Sequence, residues 1–93
     1  MTITVSLFDL NGRIRVLAIQ DAPQNKNAGG YVDLPDHETL TFLEHVGLSH
    51  EGAMALLDEV LQEPARVRRH SFNLSAAQFD RLEKFVPELT AHL

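Results

Sequence analysis

A single small α+β domain is the fold class this sequence predicts, and three observations predict it. Alternating apolar residues flank an Asn11-Gly12 turn near the start, which is the signature of a β-hairpin. Two helical patterns then follow each other directly instead of alternating with strands, so α+β fits better than a doubly wound sheet. A further strand-like stretch leads into a last helical pattern. With 93 residues the chain can bury roughly 60% of its unfolded surface, enough for one core, so residues 1–93 form one domain.

The hairpin consists of residues 3–10 and 13–20. A two-residue type I′ turn at Asn11-Gly12 fixes its register, with Leu7 opposite Val16, Val5 opposite Ala18 and Asp9 opposite Ile14. Ile3, Val5, Leu7, Ile14, Val16 and Ala18 share the core face. The other face carries Thr4, Ser6, Phe8, Arg15, Leu17 and Ile19, too apolar to be wholly wet, and places Arg15 across from the Phe8 ring. Residues 21–30 read as a polar loop, and residues 31–34 as a short third strand.

An αα-hairpin comes next. Pro35 or Asp36 opens the first helix, with Asp36 as a cap and Leu40, Leu43 and Val46 on one face; Gly47 closes it as a left-handed residue. Ser49 caps the second helix, whose wide apolar face comprises Ala53, Met54, Leu56, Leu57, Val60 and Leu61 before Pro64 stops it. Residues 66–74 read as a strand, and Ser75 with Gln78 as a capping box for a C-terminal helix. There Phe79, Leu82, Val86, Leu89 and Leu93 recur at 3,4,3,4 spacing across a break at Pro87.

Charge is divided unevenly along the chain. The net charge is −5, but residues 27–65 hold eight carboxylates and no Lys or Arg, while the flanking segments balance at +1 and +2. Asp36, Glu38, Glu44, Glu51, Asp58 and Glu59 lie on the two central helices and form a candidate face for a basic protein partner, nucleic-acid-binding proteins being among the partners that fit. Arg66, Arg68 and Arg69 form a candidate anion site, because guanidinium forks bind phosphate or carboxylate bidentately. If their strand lies beside the hairpin, Arg13 or Arg15 extends that patch.

Phe42, Leu43 and Val46, the turn Gly47-Leu48-Ser49, and then Ala53 and Leu56 form a pattern over residues 41–60 that resembles the DNA-binding helix-turn-helix family. The resemblance implies that the second helix enters the major groove. Its outward residues here are His50, Glu51, Gly52, Ala55, Asp58 and Glu59, which repel phosphate and include no Arg, Lys, Asn or Gln to read bases, so direct nucleic-acid binding is not the expectation.

No catalytic, metal or cofactor site is expected. There is no Cys, no Gly-x-Ser-x-Gly elbow and no phosphate loop, and His37 and His45 lie eight residues apart, ~12 Å along a helix. No run approaches the ~18 apolar residues of a membrane span, and residues 1–7 lack a positive leader region, which predicts a cytoplasmic protein. The expected function is that of a small non-enzymatic intracellular binding protein of the inhibitor or adaptor type, with regulatory and counter-defence roles in its range. The alternatives are a helix-turn-helix-like regulator holding phosphates with Arg66, Arg68 and Arg69, and a self-associating module, at its simplest a homodimer.

Overall fold

The computed structural model describes residues 1–20 and 29–93. Strand β1 (Thr2–Leu10) turns into β2 (Arg13–Gln20) with Asn11 at φ 53° and Gly12 at φ 90°, the two positive values a type I′ turn requires. Asp9 accepts a hydrogen bond from the Gly12 N–H at 3.1 Å. The register is the one the turn dictates, with Leu7 opposite Val16, Val5 opposite Ala18 and Asp9 opposite Ile14.

The third strand, β3 (Gly29–Leu34), begins two residues earlier than the sequence suggests, because Gly29 and Gly30 pair with Ile19 and Ala18 on β2. The rest of the expected loop, residues 21–28, lies outside the described residues. A last strand, β4 (Arg68–Asn73), pairs antiparallel with β1, giving a four-stranded antiparallel sheet in the order β3-β2-β1-β4. It is shorter than the expected 66–74 because a turn after the second helix, with Arg66 N–H donating to the Glu63 carbonyl, occupies the first residues of that stretch.

The helices pack on one face of this sheet. Helix α1 (Asp36–His45) has Pro35 at its N-cap and no side-chain cap. Asp36 is therefore the first helical residue and not the cap, acting on the helix only through its charge. Gly47, at φ 121°, ends α1 in a Schellman arrangement: Gly47 N–H donates to the Glu44 carbonyl and Leu48 N–H to the Leu43 carbonyl, each at 3.1 Å. Ser49 then caps α2 (His50–Gln62) by accepting from the Gly52 N–H.

Helix α3 (Ala76–Phe85) starts on the capping box of Ser75 and Gln78, with both reciprocal hydrogen bonds made. It stops before Pro87, which begins the single turn α4 (Pro87–Thr90). The core joins Ile3, Val5, Leu7, Ile14, Val16, Ala18, Val32 and Leu34 of the sheet to Phe42, Leu43, Val46, Ala53, Leu56, Val60, Leu82, Val86 and Leu89 of the helical layer. No described helix is long and apolar enough to cross a membrane.

Candidate interaction surfaces

Helix α2 turns Ala53, Leu56 and Val60 into the core. Helical spacing then sends Glu51, Met54, Ala55, Asp58, Leu61 and Gln62 outward, with His50 and Glu59 also exposed and Gly52 and Leu57 half-exposed. Met54 and Leu61 are 47% and 38% exposed, a departure from their expected place on the buried face. They occupy one stripe with Asp58, at i, i+4 and i+7, and the charged member of that stripe is the signal that it faces outward.

The six carboxylates separate into groups. Asp36 is exposed and Glu38 half-buried in the first turn of α1, where both favour the positive helix end. Glu44 and Glu51 flank the turn between the helices, and Glu44 Oε1 lies 3.2 Å from His50 Nδ1. Asp58 stands on the outer stripe of α2. Glu59 leaves this group, because its carboxylate turns toward β4 and meets Arg68.

The three arginines of the candidate anion site point in different directions. Arg68 opposes Leu7 across β1–β4 and so points to the helical side, where it is only 9% exposed. Its Nε reaches Glu59 Oε2 at 3.3 Å, its Nη2 donates to the Glu59 carbonyl at 3.3 Å, and Glu63 Oε1 lies 3.7 Å from Nη2. It thereby adds a second donor to a carbonyl in the last turn of α2 that already accepts the Glu63 N–H, at a helix end where positive charge is favoured. Arg66 precedes the strand and lies 3.7 Å from Glu63. Arg69 points to the opposite side of the sheet, with Nε 3.5 Å from Ser6 Oγ. An open recess of about 430 Å³ lies where these residues meet Val67 and His70, but Glu59 and Glu63 line it too and compete with any incoming anion.

The sheet face turned away from the helices is covered by no described element. Across it, register places Arg69, Ser6, Leu17 and Tyr31 in one row and Phe8, Arg15 and Asp33 in the next. Arg15 is stacked on Tyr31, 4.3 Å from the ring centroid, and not on Phe8 as its hairpin position suggests. The cause is Asp33 on the neighbouring strand, which holds the guanidinium bidentately at 2.8 and 3.0 Å. Those hydrogen bonds hold the Asp33 carboxyl below its usual range and push the Arg15 guanidinium above its own. Arg13 Nη2 donates to the Asp33 carbonyl at 3.3 Å. Tyr31 and Ile19 are 55% and 48% exposed, while Leu17 and Phe8 are half-buried.

Arg13 and Arg15 therefore extend a basic surface with Arg69, and not with Arg66 and Arg68. The sequence allows Arg13 or Arg15 to join the patch if the strand lies beside the hairpin, and β4 does pair with β1; what it does not show is that Arg66 and Arg68 are drawn away to Glu59 and Glu63 at the end of α2. Among the described residues no three His, Asp or Glu side chains gather as metal ligands would. No protein-family model, curated protein or solved structure matches the chain.

Proposed function

We propose that this chain is a non-enzymatic binding protein of the inhibitor or adaptor type, which docks the acidic outer side of α1 and α2 on a basic protein surface. The observation that carries this reading is the outer stripe of α2, where Met54 and Leu61 stand exposed on either side of Asp58 with Glu51 one turn away. Carboxylates alone attract over about 8 Å at physiological salt and do not hold a complex without a desolvated centre. Met54 and Leu61 supply that centre, and methionine adapts its shape to a partner readily. Asp36 and Glu44 contribute to the rim, where charge chiefly sets the rate and orientation of encounter.

The test is affinity capture from cytoplasmic extract with two baits, the native chain and a variant combining Asp36→Asn, Glu44→Gln, Glu51→Gln and Asp58→Asn. All four positions are exposed, so the variant keeps its core, which a thermal scan checks. The expected result is a basic protein held by the native bait, released by salt and absent from the variant. Retention of the same partner at equal strength by the variant would show that the acidic side is only solvated surface.

A further inference from the structure

We propose that the basic surface recognised by the acidic helices is present on the chain itself, on the open face of the sheet, and that copies associate head to tail. This rests on the acidic side of α1 and α2 being a docking surface. On the open face, among the described residues, Arg13, Arg15 and Arg69 stand against one carboxylate, Asp33, which is already held by Arg15. The face thus carries a positive balance in a chain whose net charge is −5. The helices α1 and α2, on the other side of the sheet, hold Asp36, Glu38, Glu44, Glu51, Asp58 and Glu59 and no Lys or Arg.

Charge decides among the ways two copies can meet. Two sheet faces together would oppose three arginines to three arginines, and two helical faces would oppose carboxylates to carboxylates. The heterologous pairing, helices of one copy on the sheet of the next, joins unlike charges. It also joins two apolar centres, Met54 and Leu61 on one side and Leu17, Ile19 and Tyr31 on the other. The spacings are compatible. Glu51 and Asp58 lie seven residues apart on α2, ~10 Å along the axis. Arg15 on β2 and Arg69 on β4 are two strand spacings and one row apart, ~12 Å. A contact between opposite faces leaves one of each kind free at the ends, so association continues into chains unless a ring closes.

Two half-disabled variants test this by sedimentation velocity at low and high salt. One carries Glu51→Gln and Asp58→Asn, the other Arg13→Gln and Arg69→Gln, all at exposed positions. The native chain is expected to grow in mass with concentration at low salt and to return to monomer at high salt. Each variant alone should stay monomeric, whereas their equimolar mixture should form a capped one-to-one pair, because each supplies the face the other lacks. A native chain that is monomeric at every concentration and salt would overturn the proposal, as would a mixture that fails to pair. If that monomer still captures a basic protein that the Glu51→Gln/Asp58→Asn variant loses, self-association falls while the acidic docking surface stands. A single-stranded oligonucleotide bound by the native chain and not by the Arg13→Gln/Arg69→Gln variant would assign the sheet face to nucleic acid instead.

Discussion

The two faces of the sheet are built from the same strands yet have opposite characters. On β1, Ile3, Val5 and Leu7 are sealed beneath the helices, while Thr4, Ser6 and Phe8, one residue out of step, lie on the uncovered side. Arginine shows the contrast most clearly. Arg68, on the covered side, is buried and tied to Glu59, Glu63 and a helix-end carbonyl. Arg15, on the open side, is paired with Asp33 but remains partly solvated and stacked on an exposed Tyr31. An arginine on the covered side serves the fold; one on the open side keeps a positive surface available.

The largest expected difference between the faces concerns apolar side chains. Leu7→Ala should destabilise by about 2–5 kcal/mol, since it leaves a cavity under the helices, whereas Leu17→Ala on the open side should cost under about 1 kcal/mol. Urea denaturation of both variants measures this. Equal losses would mean that the open face is covered as thoroughly as the other.

Arg68 comes next. Arg68→Ala should cost about 1–2 kcal/mol through lost packing and lost hydrogen bonds to Glu59, less than for a fully buried pair because Glu59 and Glu63 remain in water. Arg68→Met, which keeps the stem, should recover much of that loss. A Met variant as unstable as the Ala variant would show that the hydrogen bonds outweigh the packing.

The smallest effect is that of Asp33. Because its carboxyl titrates lower in the folded chain than in the unfolded one, its pairing with Arg15 stabilises above the unfolded value of about 3.9 and is lost as pH falls through the folded value. The native chain should therefore melt slightly above Asp33→Asn near neutral pH, and the gap should close in acid. A gap independent of pH would remove the ion pair as its cause.

Much of this architecture is legible in the sequence because the signals are local. Asn11-Gly12 sets the hairpin register, Gly47 and Ser49 set the helix turn, and Ser75 with Gln78 starts α3, each through contacts within a few residues. What is not legible depends on neighbours distant in the chain. Arg15 leaves Phe8 for Tyr31 and Asp33 because β3 pairs with β2, and Arg68, which strand alternation already sets on the side opposite Arg69, is buried because the end of α2 lies over its side of β4. The candidate surfaces follow the same division. The acidic composition of the helices is apparent by counting residues, but the exposure of Met54 and Leu61 is settled only when the core has taken Ala53, Leu56 and Val60.

The central claim is that the outer side of α1 and α2 is the docking surface, and carbodiimide coupling tests it most directly. This zero-length reaction joins a carboxylate to a partner lysine in contact with it. Peptide mapping of the complex of the native chain with the basic protein it captures should locate the joined carboxylates at Glu51 and Asp58, with Asp36 and Glu44 behind them. Coupling confined to Asp80, Glu83 and Glu88 of α3 and α4 would contradict the account.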